Sequence, residues 1–346
     1  MIMIAAVLER CGHPLRLLEL EIPKLQRGQV LVKIAYSAIC RSQLMEIDGL
    51  RGHDKWLPHL LGHEASGVVV EVGAEVTKVQ PGEEVILTWV KSSGIESATP
   101  TYTHEGQAIN AGPVTTFSNF SIVSENRVVA MPPGLEMDVA VLFGCALATG
   151  SGMALKEIEP KNTDTILVLG LGGVGMAALI TLVASGHKKV IAVDKDEDKC
   201  RTAKNFGATS LRFNSERELL LSLSKIAPRG VDYCIEAGGT AATIELGFST
   251  LNPTTGALVF ASHPPKDQRI SLDPHELIRG KSIKGSWGGG IDPDRDIPKL
   301  ARLHKHAATP LRTLVGNKYP LEKINDAVAA FNKQEIFRPI LVMDHY

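Results

Sequence analysis

The feature that most constrains the fold is a glycine-rich segment, Gly170-Leu171-Gly172-Gly173-Val174-Gly175, which separates two runs of different character. The run before it, Thr165–Leu169, is short and continuously apolar, as in a buried parallel strand. The run after it, Val174–Ala184, has the composition of a helix. In such a strand–loop–helix unit, glycines allow a tight turn and the close approach of a pyrophosphate, which the helix N-terminus then binds. The segment therefore predicts a dinucleotide-binding loop.

A regular alternation of strands and helices extends this unit toward the C-terminus. Further strands are predicted at Lys189–Val193, Val231–Ile235 and Gly256–Ala261, and helices at Asp196–Phe206 and Thr240–Leu251. Alternation of this kind implies a parallel sheet covered by helices on both faces. Residues 1–145 differ, because glycine and proline interrupt their short β-runs, as at Val30–Tyr36, Gly67–Val72, Glu84–Trp89 and Phe120–Val123. The 346 residues therefore predict two domains, one β-rich and one α/β.

Composition and charge exclude several classes of protein. The net charge of −1 gives no support for a nucleic acid or an acidic membrane as partner, and no apolar run reaches the roughly 18 residues that a membrane span needs. The N-terminal segment has no basic region ahead of its apolar residues, which argues against a signal peptide. Five cysteines without regular spacing favour a reducing compartment, so we expect a cytoplasmic protein.

Asp194 stands at the end of the second predicted strand of the α/β half. A carboxylate at this position accepts hydrogen bonds from the adenosine ribose and repels a 2′-phosphate, which favours NAD over NADP. The adjacent Lys195 could soften this discrimination. The alternative interpretation is an ordinary strand–helix–strand crossing with an incidental acid.

Three short segments that lie far apart in the chain carry metal-binding side chains: Cys40-Arg41-Ser42, Gly62-His63-Glu64 and Gly144-Cys145. Each segment ends or follows an apolar, strand-like run. Two thiolates and one imidazole form the protein ligand set of a catalytic zinc that keeps its fourth position open. The spacing alone does not identify a metal site, and each cysteine taken singly could equally be an inert buried thiol.

Three motifs of the chain resemble those of the zinc-dependent alcohol dehydrogenases of the medium-chain dehydrogenase/reductase superfamily: GCALATG (144–150), VLGLGGVG (168–175) and VIAVDKDEDK (190–199). The half that holds them is most similar to the liver-type and glutathione-dependent formaldehyde dehydrogenase branch. The resemblance extends nearly from end to end. It implies a GroES-like β-rich catalytic domain of residues 1–145 and 287–346, and a Rossmann domain, a doubly wound parallel sheet, of residues 146–286. It also implies a homodimer or homotetramer that associates through an edge strand near Gly256–Ser262.

The resemblance further implies hydride transfer between a primary or secondary alcohol and NAD, by way of a zinc alkoxide. The metal ligands would be Cys40, His63 and Cys145. Ser42 would take the alcohol proton into a relay, and Glu64 would be an acid behind the ligands or a fourth, transient ligand. The cofactor would be bound by Gly170, Gly172, Gly173, Val174, Gly175 and Asp194, with Arg41 and Arg338 at the pyrophosphate, Thr149 at the nicotinamide and Lys199 at the ribose.

The chain departs from the resembled enzymes at two positions close to the ligands. Met45 replaces the histidine that ends the relay, so either water takes the proton from Ser42 or another histidine serves. The candidates for that histidine are His53, His59 and His104. Gln43 replaces an aspartate that hydrogen-bonds the zinc histidine; glutamine can still accept that bond, but it brings no charge.

A third departure concerns a second metal. In the resembled enzymes four closely spaced cysteines hold a structural zinc, whereas the segment Lys91–Thr115 contains no cysteine, so we expect no structural zinc. This polar segment is predicted to be a turn-rich loop. Its polarity suggests a hydrophilic substrate such as a polyol or cyclitol, although a solvated surface loop explains it equally well. The alternative functions are a zinc-free quinone or enoyl reductase of the same superfamily and a non-catalytic NAD-binding protein.

Overall fold

The computed structural model describes residues 1–306, 311–333 and 338–343. The chain divides into two compact units. The first unit comprises Met1–Cys145, Asp292–Ala301 and Leu311–Tyr346, and the second comprises Ala146–Ile291 and Arg302–Pro310.

The C-terminal part of the chain is divided differently from the expected assignment of all residues 287–346 to the first domain. Residues 287–291 lie with the second unit, because the turn at Gly289 packs on the first helix of that unit. A Cβ added at Gly289 would overlap the Thr149 carbonyl and lie 2.8 Å from Gly152 Cα. Residues 302–306 do so as well, and His304 there hydrogen-bonds Thr181.

The elements are numbered along the chain. The strands are β1 (Ile2–Leu8), β2 (Arg16–Glu21), β3 (Gln29–Ala38), β4 (His59–Leu60), β5 (Glu64–Val72), β6 (Glu84–Thr88), β7 (Thr101–His104), β8 (Gln107–Asn110), β9 (Phe120–Ser124), β10 (Val128–Ala130), β11 (Ile166–Leu169), β12 (Val190–Asp194), β13 (Thr209–Arg212), β14 (Tyr233–Glu236), β15 (Ala257–Phe260), β16 (Ser282–Gly285), β17 (Lys318–Pro320) and β18 (Ile340–Val342). The α-helices are α1 (Arg41–Ile47), α2 (Met137–Ala140), α3 (Ala146–Gly152), α4 (Gly173–Ala184), α5 (Glu197–Asn205), α6 (Glu216–Ile226), α7 (Ala241–Ser249), α8 (Pro274–Ile278), α9 (Pro293–His306) and α10 (Ile324–Asn332). A π-helical turn, Met153–Glu157, follows α3, and 3-10 turns lie at Glu125–Arg127, Val141–Gly144, Gly288–Gly290, Leu311–Leu314 and Leu321–Lys323.

The second unit is built on a six-stranded parallel sheet in the order β13-β12-β11-β14-β15-β16. The chain leaves β11 in one direction for β12 and returns to its other side with β14, which makes the sheet doubly wound. All four residues of β11 are buried, as expected for a strand covered on both faces. The strands and helices predicted from the alternation are confirmed to within about two residues. The alternation did not predict β13 and α6, because β13 is partly exposed and short.

The prediction that the segment near Gly256–Ser262 forms an edge strand is wrong. β15 occupies that segment, but β14 and β16 pair with its two sides, so it lies inside the sheet. The chain returns after β15 to add β16, and the two edges of the sheet are therefore β13 and β16.

The first unit contains two β-structures. One is a sheet in the order β10-β6-β5-β3-β18-β17, with β9 also paired to β3, and the other is a closed barrel of β1, β2, β7, β8 and β4. A core of fully buried apolar side chains, among them Val32, Ile34 and Leu87, packs against the first sheet. The antiparallel register of β3 with β5 pairs Ser37 with Ala65. The end of β3 and the start of β5 therefore lie side by side.

The hairpin of β7 and β8 lies within the segment predicted to be a loop, so that prediction is wrong. Its inward side chains, Tyr102 and Ile109, are buried in the apolar cluster of the barrel. The Tyr102 hydroxyl accepts a hydrogen bond from the Ile122 N–H at 3.0 Å. Polar residues on the outward positions and in the turn obscured the period of two that marks a strand.

Among the described residues, no single helix is long and apolar enough to cross a membrane. One pair of helical segments, Met137–Gly144 and Ala146–Glu157, reaches that length and composition together, with a bend of 54° between them.

Candidate metal and nucleotide sites

One cluster of metal-binding side chains lies in the first unit. Cys40, His63, Glu64 and Cys145 each offer one donor atom, and these four atoms all lie within 4.8 Å of one another. The donors are two sulfur atoms, one imidazole nitrogen and one carboxylate oxygen. The structure thus brings together the three predicted ligands and the acid that was expected beside them.

Strand pairing brings the ligand segments to the same place. Cys40 follows β3 and precedes α1, and His63 immediately precedes β5, which is the antiparallel neighbour of β3. Cys145 follows Gly144, where an added Cβ would overlap the Leu87 carbonyl and lie 2.7 Å from Glu64 Cβ. Only glycine therefore lets the Cys145 segment approach β5 and β6 closely enough to complete the cluster.

The turn that carries His63 is fixed by hydrogen bonds on both sides. Gly62 has a φ of +89°, and a Cβ there would lie 2.5 Å from Thr116 Oγ1. The Leu61 carbonyl accepts a hydrogen bond from the Thr116 N–H at 2.9 Å. The Glu64 carbonyl accepts bonds from Thr116 Oγ1 at 3.2 Å and Ser37 Oγ at 3.1 Å. These bonds fix the backbone on both sides of His63.

The pKa values of the two thiols of the cluster are shifted in opposite directions. A hydrogen bond from Cys145 lowers the pKa of Cys40, and the nearby His63 adds to this effect against the opposing contribution of burial. The same hydrogen bond and burial raise the pKa of Cys145. Burial lowers the pKa of His63, but the hydrogen bond and charge of Cys40 outweigh burial and raise it. A cation bound between the two sulfurs would displace the proton of this hydrogen bond.

A buried ion pair lies beside the donors. Arg338 Nη2 donates to Glu64 Oε1, and the two residues are 4% and 0% exposed. Strand β18 pairs with β3 so that Ile340 faces Ala38, which places Arg338 near the start of α1. Burial raises the pKa of Glu64 to about 7, against the lowering effect of Arg338. Among the described residues, Glu64 Oε2 and Arg338 Nε have no hydrogen-bond partner.

Arg338 was expected at a pyrophosphate, and the structure shows it paired with Glu64. The contact with a pyrophosphate stays a prediction. Glu64 offers a donor atom to the cluster as well as a partner to Arg338, so its two expected roles both stay open. Arg41 is exposed and Ser42 half-buried in the first turn of α1.

Gln43 does not hold His63 in the expected way. Its side chain is buried, and Oε1 accepts a hydrogen bond from the backbone N–H of Gly62 rather than from the imidazole. Glutamine is longer than the expected aspartate by one methylene, and this length lets it reach the backbone. Sequence comparison could identify the substitution but not the new partner.

The histidines considered for the relay have other contacts. His59 faces Leu60 O with Nδ1 at 2.9 Å and Asp54 Oδ2 with Nε2 at 2.8 Å. His104 Nδ1 lies 2.8 Å from the Glu19 carbonyl on β2. His53 is exposed. The hydrogen bonds described for His59 and His104 do not lead to Ser42.

The glycine-rich loop of the second unit joins β11 to α4. Gly170 has a φ of +90°, and a Cβ there would lie 2.6 Å from the Gly238 nitrogen. A Cβ at Gly175 would overlap the Gly170 carbonyl oxygen. At Gly172, the N-cap of α4, a Cβ would meet nothing within 4 Å. Packing therefore explains Gly170 and Gly175, whereas the close approach of a ligand would explain Gly172. Gly173 and Val174 form the first turn of α4.

Asp194, at the end of β12, is half-buried and supports the loop directly. Its Oδ2 accepts a hydrogen bond from the Leu171 N–H at 2.7 Å, and its Oδ1 accepts one from Asp196 N–H at 2.9 Å. A contact with ribose stays a prediction, as does that of Lys199, which is half-buried on α5.

Glu236 is a functional candidate that the sequence analysis missed. This carboxylate, 0% exposed at the end of β14, accepts hydrogen bonds from Gly238 N–H at 2.7 Å and Thr243 Oγ1 at 2.7 Å. It also accepts from Gly239 N–H at 3.1 Å and from the Ser262 hydroxyl. Gly238 packs on Gly170, so the hydrogen bonds of Glu236 also support the glycine-rich loop, from the side of β14. The available signal was the segment Glu236-Ala237-Gly238-Gly239, in which an acid at a strand end is followed, after one alanine, by two glycines.

Thr149, on α3, is 5% exposed, and its hydroxyl has no hydrogen-bond partner among the described residues. An unpaired buried hydroxyl is costly unless a ligand completes it. This observation fits the expected contact with a nicotinamide.

Two family models match the chain: the alcohol dehydrogenase GroES-like domain over residues 26–133 and the zinc-binding dehydrogenase over residues 173–305. An alcohol dehydrogenase zinc-binding domain protein from Burkholderia ambifaria is 25% identical, covers 100% of both chains and superposes with a TM-score of 0.91. Benzyl alcohol dehydrogenase from Acinetobacter calcoaceticus is 26% identical over 99% of this chain and 100% of its own, with a TM-score of 0.89.

A third solved structure, described as a short chain alcohol dehydrogenase from E. coli CFT073 complexed with the cofactor NADH, is 21% identical. It covers 99% of both chains with a TM-score of 0.80 and shows the likeness of the fold. The predicted fold class, a GroES-like β-rich domain with a Rossmann-like parallel sheet, is confirmed. The chain therefore matches an alcohol dehydrogenase GroES-like domain in its first half and a zinc-binding dehydrogenase domain in its second.

Proposed function

We propose that this protein is an NAD-dependent alcohol dehydrogenase with one catalytic zinc, which interconverts a primary or secondary alcohol and its carbonyl compound. The observation that carries the proposal is the cluster of Cys40, His63, Glu64 and Cys145. The two family models and the whole-chain likeness to a benzyl alcohol dehydrogenase support the same reaction class.

The donor set of the cluster fits zinc. Thiolate and imidazole are preferred ligands of zinc, whereas magnesium and calcium prefer oxygen. Two bonds of about 2.0–2.3 Å that meet at a tetrahedral ion separate their donors by roughly 3.3–3.8 Å, so donors within 4.8 Å of one another could close on one ion with shifts of about 1 Å. Cys40, His63 and Cys145 would hold the metal, which when bound supplies a Lewis acid for the oxygen of the alcohol or carbonyl compound. Glu64 would stay paired with Arg338 behind the ligands or contribute its free Oε2.

Ser42 is the group proposed to take the proton from the alcohol. It lies half-buried in the first turn of α1, two residues after the ligand Cys40. Met45, one turn further along α1, cannot carry the proton onward. Because His59 and His104 are engaged elsewhere, we assign the next acceptor to water.

The second unit would bind NAD. The loop from Gly170 to Gly175 and the N-terminus of α4 would hold the pyrophosphate, and Asp194 would accept hydrogen bonds from the ribose. Further contacts are proposed for Thr149, Lys199, Arg41 and Arg338. An NADH complex of a protein with the same fold supports this assignment.

The finer assignments are proposals of the same kind. We place the chain in the liver-type branch because of the resemblance of its motifs. We propose that it has no structural zinc, because Cys11, Cys200 and Cys234 are single cysteines far apart in sequence. We propose a cytoplasmic homodimer or homotetramer. The substrate is an alcohol of either aromatic type, as for the Acinetobacter relative, or polar type, as the outward face of the β7–β8 hairpin suggests.

The test is NADH formation by zinc-loaded protein with a panel of benzyl, short-chain, polyol and cyclitol alcohols and S-hydroxymethyl thiol adducts. A chelator-treated sample is the control. Turnover that the chelator abolishes and zinc restores supports the proposal and identifies the substrate class. Turnover that survives zinc removal would indicate a zinc-free reductase, and NAD binding without turnover on any alcohol would indicate a non-catalytic protein.

A further inference from the structure

We propose that Gln43 is a positioning residue that fixes the ligand His63 relative to the ligand Cys40 through the backbone amide of Gly62. This inference rests on the proposed metal site. Gln43 is 4% exposed, and its Oε1 accepts the hydrogen bond of the Gly62 N–H, next in sequence to His63. The Gln43 N–H donates to the Cys40 carbonyl at 3.0 Å. One residue therefore joins the segments of two ligands.

The peptide plane that joins Leu61 to Gly62 is held at both edges, by Thr116 at the Leu61 carbonyl and by Gln43 at the Gly62 N–H. Thr116 binds the Leu61 carbonyl through its N–H at 2.9 Å and the Glu64 carbonyl through its hydroxyl at 3.2 Å. These bonds secure the carbonyl groups on both sides of the turn. The acceptor described for the buried Gly62 N–H is Gln43. Without that acceptor the amide would be buried and unsatisfied, and the peptide plane would tilt about its anchored carbonyl.

A rotation at Gly62 would be transmitted to the metal. The Gly62 N–H lies in the peptide plane of Leu61 and Gly62, so tilting that plane moves Gly62 Cα and, through the next peptide, the Cα and ring of His63. His63 also hydrogen-bonds Cys40, so a displacement of the imidazole would also shift this second donor. Gln43 thus does through the backbone what a partner of the imidazole ring would do directly. Loss of a group that orients a metal ligand typically weakens metal binding about 10–100-fold.

The experiment compares Gln43→Met with Gln29→Met. Methionine preserves the length and apolar packing of glutamine but removes the acceptor. Gln29 is the matched control, since it is 2% exposed in the same unit and bonds backbone groups, Ala98 O at 2.9 Å and Gln26 N at 2.8 Å, outside the ligand segments. Zinc affinity is measured by competition with a chromophoric chelator, and the visible spectrum of the cobalt(II)-substituted protein reports the geometry of the ligands.

We expect Gln43→Met to bind zinc about 10–100-fold more weakly and to alter the cobalt bands, and Gln29→Met to match the wild type in both. Wild-type zinc affinity in Gln43→Met, or equal losses in the two variants, would overturn the inference. If Gln43→Met does not fold, Gln43→Asn serves, since it keeps the amide but is one methylene shorter; unchanged affinity there overturns the inference as well. A wild-type protein that binds no zinc would refute the proposed function instead, so the two failures are distinguishable.

Discussion

The glycine-rich loop and the metal-ligand cluster are built in opposite ways. The loop from Gly170 to Gly175 is one continuous segment that follows β11 and includes the first turn of α4, and a Cβ at Gly175 would overlap the Gly170 carbonyl oxygen. The cluster instead takes Cys40, His63 and Cys145 from three distant segments, which meet through the register of β3 with β5 and the close approach at Gly144. A local site depends on backbone conformation, whereas a distributed site depends on the whole sheet that aligns its donors.

The largest expected effect separates the two sites by removing one donor. Cys145→Ser should weaken zinc binding about 10³-fold, because a free energy of about 10–16 kcal/mol, as measured for zinc-finger peptides, amounts to about 3–5 kcal/mol for each of three protein ligands. Cys234→Ser, in a buried cysteine of the second unit, should leave zinc binding unchanged. NAD affinity, measured by fluorescence titration, should be retained in both. Tight zinc binding by Cys145→Ser would remove this cysteine from the ligand set.

The second prediction tests whether the close packing of the loop excludes a side chain at Gly175. Gly175→Ala should destabilise the protein by about 3 kcal/mol, since the added Cβ overlaps the Gly170 carbonyl and α4 must move away from the sheet. Chemical denaturation followed by circular dichroism measures this change. A loss below about 0.5 kcal/mol, the range of neutral surface substitutions, would show that the helix adjusts freely and that the third glycine is not required by packing.

Acid should affect the second unit through one buried histidine. His304 is 4% exposed, its Nε2 lies 3.2 Å from Thr181 Oγ1, and burial lowers its pKa to about 4. The unfolded chain binds this proton near pH 6.5, so stability is complete above that pH and is lost as the pH falls toward 4. The loss should reach about 2–3 kcal/mol. His304→Gln should flatten the pH dependence of stability between pH 6.5 and 4.5, whereas His13→Gln, at an exposed position, should not. Parallel curves for wild type and His304→Gln would contradict the assignment.

The smallest expected effect on stability distinguishes Gly172 from the glycines of the loop that packing requires. Gly172→Ala should change the free energy of unfolding by less than about 0.5–1 kcal/mol, because its Cβ would meet no atom within 4 Å. NAD should nevertheless bind about 10-fold more weakly, since the methyl group would occupy the approach of the pyrophosphate. Isothermal titration with NAD, beside a denaturation curve, measures both quantities. Unchanged NAD affinity would mean that the phosphates do not pass over Gly172.

The two regions also differ in how far sequence reasoning reached. The glycine loop, its flanking strand and helix, and the doubly wound sheet were predicted within about two residues, because each follows from a local pattern. Local patterns failed where pairing decides the structure. The β7–β8 hairpin was predicted as a loop, and β15 was predicted at a sheet edge that β16 occupies.

Around the metal ligands, residue types were readable but their partners were not. Gln43 was recognised as a departure, yet its bond to Gly62 depends on the distance between α1 and the turn before β5. Arg338 was assigned to a phosphate, and the pairing of β18 with β3 gives it a partner, Glu64, that the sequence did not reveal. Glu236 was not recognised, because the four donors around it come together only when β14, α7 and Ser262 are in place.

The sequence alone determined the two kinds of domain and the glycine-rich loop, since these follow from periodicity and glycine placement, and its resemblance to known enzymes singled out Cys40, His63 and Cys145 as candidate metal donors. Tertiary structure decided that the donors lie within 4.8 Å of one another, that Glu64 is neutralised by Arg338, and that Gln43 braces the histidine through the backbone. The physical reason is that strand register and close packing act between residues far apart in the chain, and no local pattern records the distance between them.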